Sequence, residues 1–266
     1  MIPFSLLKGS SSYRSFILGS IKREFQSKYS NSILGAAWTI INPLAMIMVY
    51  TVVFSQIMHA RLPGLGSTFA YSIYLCSGIL TWGFFTEITL RSLNVFLDHA
   101  NLIKKINFPR ICLPIIVLLS SGLNFAIIFA LFTGFLILSG MFPGWPFLAL
   151  IPVLAIQILF AIGLGIILGV LNVFFRDVGY FFGIFLQFWF WLTPIVYPST
   201  ILPEAVRPLL ALNPMYSLIS AYQTILVNGQ WPQWSTLIPS ALIAIIACVL
   251  GLSLFRRRAS EMVDEL

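Results

Sequence analysis

The chain has 266 residues, of which 59% are hydrophobic and 9% charged. Soluble domains carry roughly 25% charged residues, so the composition excludes a soluble globular protein and indicates an integral membrane protein. The formal net charge of +7 does not argue for nucleic acid; the basic residues stand at the ends of apolar segments, where they set orientation in a membrane.

Residues 1–30 hold Lys8, Arg14, Lys22, Arg23 and Lys28 and do not form a span. From 17 to 29, Ile17, Leu18, Ile21, Phe25 and Tyr29 share one broad helical face, with Arg23, Gln26 and Ser27 opposite and Lys28 on the edge. This spacing predicts an amphipathic helix lying in the cytoplasmic interface; a solvated basic tail is the other reading. No cleavable signal peptide is expected, because the basic region runs into a full-length span without a small-residue cleavage site.

Six apolar segments follow, at 34–58, 69–90, 111–139, 147–174, 180–197 and 236–255. Each has about the 20 residues that cross a hydrocarbon core roughly 30 Å thick, the fifth being the shortest. With both termini cytoplasmic, all of the 15 lysines and arginines except Arg61 and Arg207 face inward. That asymmetry fixes the expected topology. Cys76, Cys112 and Cys248 lie far apart in or beside these runs, without metal or redox spacing, and read as small apolar residues.

The connection at 92–110 is too polar to span and too apolar to be loose. Residues 100–106 are expected to form a short helix, stopped before Phe108-Pro109. Two lysines on it would suit a docking surface for a soluble partner; a basic loop that only sets orientation fits as well. At 172–177 a polar island between two apolar segments reads as a cytoplasmic turn. There Arg176 and Asp177 could pair with each other, cap the following helix, or anchor a moving joint. That helix is loaded with aromatics up to Trp189, Phe190 and Trp191, and breaks at Thr193-Pro194. The outer segment 199–232 is rich in proline. Residues 215–227 are apolar at helical spacing but about 13 long, which suits a re-entrant or interfacial helix. Residues 202–212 are expected as its antiparallel partner. This hairpin reads either as an outer lid or as an ordinary packed loop. No soluble domain, low-complexity tract or internal repeat is apparent.

Hydrolytic or transfer chemistry needs clustered acids, histidines or an activated nucleophile. The chain has 8 acids and 2 histidines, and His59 and His99 fall on opposite sides of the membrane. No metal-site spacing occurs, and no GxxxxGK[ST] loop is present to cradle ATP. Glu87 is the one acid well inside an apolar segment, and Arg91 follows four residues later on the same face. The pair suits structural pairing or an inner gate. Aromatics make up 15% of the chain. Phe181, Phe185 and Phe188 recur at i, i+4, i+7; Tyr71, Tyr74, Trp82 and Phe85 lie on one stripe with Gly78. Aromatic faces can stack on sugar rings, but aromatics also pack helices and form interfacial belts.

Several motifs occur in order: LGxxWxxxxP from Leu34 through Trp38 to Pro43, NLIKKINFPRICLP from Asn101 to Pro114, LNVFFRDV from Leu171 to Val178, TPIVYP from Thr193 to Pro198, and Asn213-Pro214. In this ordered set, over about residues 25 to 230, the chain resembles the membrane subunit of bacterial ABC polysaccharide exporters of the type-2 permease group. One departure is visible. Members often carry an arginine in the helix after the Asn-Pro, where this chain has Gln223.

The resemblance implies an all-α integral membrane protein of six transmembrane helices at 31–258, preceded by an interface helix at 1–30 and followed by a cytoplasmic tail at 259–266. It implies a homodimer around one channel in the bacterial inner membrane, with two copies of a separate ATP-binding subunit that holds ATP and magnesium. The cargo would be a lipid-linked polysaccharide of O-antigen type. Residues 99–108 would be the coupling helix, with Asn101, Leu102, Ile103, Lys104, Lys105 and Phe108 facing the ATPase; 199–232 would be the outer gate. Tyr71, Tyr74, Trp82, Phe85, Phe181, Phe185, Phe188 and Trp189 would line the path, and Glu87, Arg91, Arg176 and Asp177 would mark the gate and turn. The rival readings are a drug or lipid exporter of the same architecture, a passive channel, and a membrane-embedded glycan-modifying transferase, which the missing acid and histidine cluster disfavours.

Overall fold

The computed structural model describes residues 14–28, 34–53, 69–105, 108–205 and 207–266; the expectations for Lys8, Tyr29, His59 and Arg61 fall outside them. Among the described residues every regular element is helical. The helices are α1 (Arg14–Lys28), α2 (Trp38–Tyr50), α3 (Ala70–Asp98), α4 (Ala100–Lys105), α5 (Cys112–Leu138), α6 (Leu150–Phe174), α7 (Asp177–Leu192), α8 (Arg207–Leu210), α9 (Pro214–Asn228), α10 (Trp234–Arg258) and α11 (Glu261–Glu265). Four are long and apolar enough to cross a membrane: α3, α5, α10 and the run Trp145–Phe174, in which a tight turn leads into α6. Two shorter apolar helices, Trp38–Val53 and Asp177–Leu192, accompany them.

The bundle is organised around α6, which lies between α3 and α10. Glycines let it approach both. A Cβ on Gly163 would stand 2.6 Å from the Cys248 backbone nitrogen of α10, and one on Gly251 would stand 2.8 Å from the Gly163 carbonyl. On the other side, a Cβ on Gly169 would stand 2.5 Å from the Ser92 carbonyl of α3. Lipid supplies no hydrophobic drive between helices, so close backbone contact through small residues takes its place. Of its most apolar 18-residue stretch, α3 buries 72% inside the chain, whereas α10 buries 22%. Accordingly α3 is a core helix and α10 a peripheral one. The buried hydroxyls of Thr81 and Thr89 in α3 turn back on their own helix, donating to the Ser77 and Phe85 carbonyls, each at 2.7 Å. Such bonds satisfy polar groups where water is absent.

Several boundaries differ from expectation. The second apolar segment stays helical to Asp98, so the first part of the expected 92–110 connection is the end of α3. In the outer segment, 202–212 is no helical arm: a single turn, α8, stands there after a tight turn at Ser199–Ile201. Pro203 and Pro208 remove backbone donors, and Arg207 instead satisfies the carbonyls of Thr200 and Leu202 at 2.8 and 3.0 Å. The other arm is the full helix α9, with Asn213 as cap, Pro214 in the first turn and Gly229 in the left-handed conformation at its end. It packs against α3 and α10. The tail at 259–266 is ordered. It forms α11, whose Met262 is fully buried, and Arg110 donates to the Ala259 carbonyl. In α1 the inward face is Ile17 and Ile21, with Phe16 and Phe25 partly covered, and Leu18 points out at 54% exposure. The helix is rolled away from the expected face because Phe16 packs on Phe108.

Candidate functional site

Three regions carry the residues singled out from the sequence. The first surrounds α4. Ile103 and Phe108 are buried and fasten this short helix to the bundle, while Asn101, Lys104 and Lys105 are exposed and Leu102 is half-buried. The His99 carbonyl accepts from the amides of Leu102 and Ile103, both at 2.9 Å, which starts the helix immediately after α3 ends. The short helix therefore presents two lysines outward from a base that is apolar and rigidly tied to α3.

Above it lies a polar network. Arg91 pairs with Glu24 of α1, donates to the Ser121 hydroxyl of α5 at 3.1 Å, and stands 3.5 Å from Glu87. Glu87 also accepts from the Asn124 amide at 3.1 Å. A charge inside a membrane is costly unless it is paired, and here one guanidinium serves two carboxylates. The side chains of Arg91, Glu24 and Glu87 retain 30%, 38% and 28% of their surface, so the network is partly wetted. The Glu87–Arg91 pairing expected from their spacing is present; Glu24 as a second partner was not expected. Its signal was available, because Ile17, Ile21 and Glu24 follow at i, i+4, i+7 and put the acid on the inward face of α1.

The second region is α7 and its turn. Arg176 and Asp177 are both exposed. Asp177 does not cap α7: it stands in the first turn, and Arg176 precedes it without a side-chain cap bond. The cap comes from α6 instead. The buried Asn172 accepts from the Gly179 amide at 3.0 Å and donates to the Leu93 carbonyl and Asn94 side chain of α3 at 3.2 and 3.3 Å. One asparagine thus ties three helices at the turn, and the charged neighbours drew attention away from it. Along α7 only Phe182 and Leu186 are buried. Phe181, Phe185 and Phe188 are exposed at 71%, 40% and 66%, together with Ile184, Trp191 and Leu192. Between α3 and α7 opens a cavity of about 550 Å³, lined by Trp82, Thr86, Gln187, Phe190 and Trp191 among others. The Thr86 hydroxyl is buried there without a protein partner.

The remaining aromatics fall into two sets. Trp82, Phe85 and Trp189 pack with Phe160 at ring separations of 5.5–6.3 Å, mostly edge to face. Phe85 has no exposed surface and Trp82 retains 7%. Within one chain these rings are packing, and only Trp82 also borders the cavity. Tyr71 and Tyr74 belong to the third region, where α7 breaks. Tyr71 donates to the Val196 carbonyl at 2.8 Å, and Tyr74 to those of Tyr197 at 3.0 Å and Pro194 at 3.3 Å. They clamp backbone that has lost helical partners at Pro194. Gln223 reaches the Pro194 carbonyl at 3.5 Å. Asn213 accepts from the Trp189 indole at 2.9 Å and the Met215 amide at 3.1 Å, and donates to Thr193 at 2.9 Å. The Asn-Pro pair therefore caps α9 and holds the end of α7 in one residue.

A family model for ABC-2 type transporters matches residues 17–227. An O-antigen export system permease protein RfbA of Myxococcus xanthus is 30% identical over 256 residues, covering 96% of each chain. A protein of the same description from Klebsiella pneumoniae is 33% identical over 208 residues, 78% of each chain. The polysialic acid transport protein KpsM of Escherichia coli is 22% identical over 242 residues, 91% of this chain and 92% of that one.

Proposed function

The chain belongs to the ABC-2 type transporter family, and on that premise we propose that it is the transmembrane subunit of an ATP-driven exporter of a lipid-linked polysaccharide of O-antigen type. The observation that carries this reading is the likeness to an O-antigen export permease over 96% of both chains.

In this reading two copies enclose a channel in the bacterial inner membrane, and two ATP-binding subunits hold ATP and magnesium on the cytoplasmic side, where both termini lie. Six spans would be built from Trp38–Val53, α3, α5, the Trp145–Phe174 run, α7 and α10. The exposed α7 face with Phe181, Phe185 and Phe188, and the cavity beside Trp82, supply the sugar path. Aromatic faces stack on sugar C–H groups without strong directional traps, which suits a sliding polymer. Phe85, Trp189, Tyr71 and Tyr74 support that wall from behind. The exposed Lys104 and Lys105 with Asn101 and Leu102 meet the ATPase, while Ile103 and Phe108 carry the motion inward. ATP binding shifts the bundle between two states only because the ATPase dimer has different affinity for them. The Glu87–Arg91 network and the Arg176-Asp177 turn mark the inner end of the path, and α9 with the Thr193–Pro198 break forms its outer gate.

The test is co-purification in the native host. A tagged chain extracted in mild detergent should bring a stoichiometric ATP-binding protein, and deletion of the pair should leave undelivered glycan inside the cell. A chain that purifies alone in several detergents, with surface glycan unchanged on deletion, overturns the reading.

A further inference from the structure

A pocket of about 230 Å³ opens where α9 faces the broken end of α7. Helix α9 lines it with one stripe: Tyr216, Ser220, Gln223, Thr224 and Asn228 stand at i, i+4, i+7, i+8 and i+12. Helix α3 adds Tyr74, and Pro194 with the turn at 198–200 completes the wall. The polar groups of this lining are hydroxyls and amides; among the described residues no lysine, arginine, histidine or carboxylate borders it. Between 199 and 232 the sequence has two charged residues, Glu204 and Arg207, and the Arg207 guanidinium is taken up by the carbonyls of Thr200 and Leu202. Gln223 stands at the centre of the wall. It is 9% exposed, and its amide nitrogen reaches the Pro194 carbonyl at 3.5 Å, long for such a bond. That carbonyl also accepts from Tyr74 at 3.3 Å. A Cβ on Gly78 would stand 3.3 Å from the same nitrogen, so the glycine of α3 leaves the amide its place. The cavity beside Trp82 has the same character: Thr86 and Gln187 with Trp82 and Trp191, again without a charged side chain.

Hydroxyls and amides both donate and accept, as the hydroxyls of a sugar do, whereas a carboxylate only accepts. A neutral ring entering such a pocket exchanges its bonds to water for bonds to hydroxyls and amides, and sets its C–H face against a tyrosine ring. An anion entering it leaves water for a site without a cation, and nothing offsets the lost hydration. We propose that the α9 pocket is a subsite for one uncharged sugar ring at the outer end of the path, and that it favours a neutral polysaccharide over an acidic one. This rests on the exporter reading above; the pocket and its charge preference are what it adds.

The experiment uses the full chain assembled with its ATP-binding subunit in nanodiscs, and measures binding of two fluorescent hexasaccharides without ATP: a neutral glucan and an oligogalacturonate. The glucan should bind about five-fold tighter, the ratio that one partly exposed charge interaction supplies. Ser220→Phe fills the pocket and should weaken glucan binding by about ten-fold, with capture of the ATP-binding subunit unchanged. Asn228→Arg places a cation on the exposed rim and should bring the galacturonate level with the glucan. Gln230→Arg, exposed but outside the pocket, should leave the parental preference in place. Equal binding of the two sugars by the parent, no binding of the glucan, or parental binding by Ser220→Phe overturns the subsite. If Ser220→Phe does not assemble, Asn228→Arg decides: an unchanged preference, or one that Gln230→Arg shifts as much, overturns it. A parental chain that captures no ATP-binding subunit, and whose deletion leaves the surface glycan unchanged, overturns the exporter reading instead.

Discussion

Replacing Gly163 by alanine tests whether α6 and α10 are held by direct backbone contact. The new methyl carbon would stand 2.6 Å from the Cys248 amide nitrogen and 2.8 Å from both the Ala247 carbonyl carbon and the Cys248 Cα. Carbon contacts are ordinarily about 3.5–4.0 Å. All three atoms are backbone, so no side-chain rotation relieves the overlap, and α10 must retreat by roughly 1 Å at the crossing. The reciprocal approach of Gly251 to the Gly163 carbonyl sits in the same crossing and opens with it. Overpacking of this kind costs about 1–3 kcal/mol. Alanine also gains helix propensity of about 1 kcal/mol over glycine, so the proper comparison is Gly134→Ala in α5, where a Cβ meets nothing within 4 Å. Both substitutions share the propensity gain, and their difference isolates the contact. The assay is thermal unfolding in detergent at one scan rate, read by a thiol-reactive dye on the buried Cys76 and Cys112. At about 2–4 °C per kcal/mol for a chain of this size class, Gly163→Ala should melt roughly 2–12 °C below Gly134→Ala. Equal melting of the two, or a higher value for Gly163→Ala, refutes the close crossing.

Other outcomes follow from the same geometry. Asn172→Ala removes the three hydrogen bonds by which one side chain ties α3, α6 and α7 at the turn; at about 0.5–1.5 kcal/mol for each, it should melt below the parent, while Asn94→Ala changes little. Lys104→Glu with Lys105→Glu should abolish capture of the ATP-binding subunit in a pull-down while the chain still inserts, and unchanged capture counts against docking at α4. Phe185→Ala with Phe188→Ala should slow polymer export without loss of assembly, since both side chains are exposed on α7; normal export removes them from the path.

Hydropathy made the long helices legible, because about 20 apolar residues have few other uses. Charge placement and the proline breaks were equally plain: α4 and α9 stand where the sequence implies. Three kinds of feature were not. Close crossings at Gly163, Gly169 and Gly251 depend on which small residues face each other, and hydropathy does not see glycine. The roles of Asn172 and Asn213 depend on partners from other helices, so nothing local distinguishes them from ordinary turn residues. The aromatic stripes were misleading in part. Spacing placed Trp82 and Phe85 on one face of α3, but only the fold decides that Phe85 packs against Phe160 and Trp189 inside the chain.

The hydrogen bonds of α7 bear on how its exposed face can serve transport. Asn172 holds its first turn to α3 and α6, and Asn213 holds Trp189 and Thr193 near its end to α9. Between these points only Phe182 and Leu186 are buried. A helix secured at both ends and lightly packed between them resists sliding along its axis more than it resists sideways displacement. Sideways displacement would expose apolar side chains to lipid or to a second copy, and in lipid that exposure carries almost no hydrophobic cost. The same face in water would be strongly penalised, at about 25 cal/mol for each Å². The membrane thus makes the loosely packed wall inexpensive to keep, and the two asparagines preserve its register while it moves. On the proposed function, the α7 wall is therefore the element most suited to widen for successive sugar units, with α6 and its glycine crossings as the fixed frame behind it.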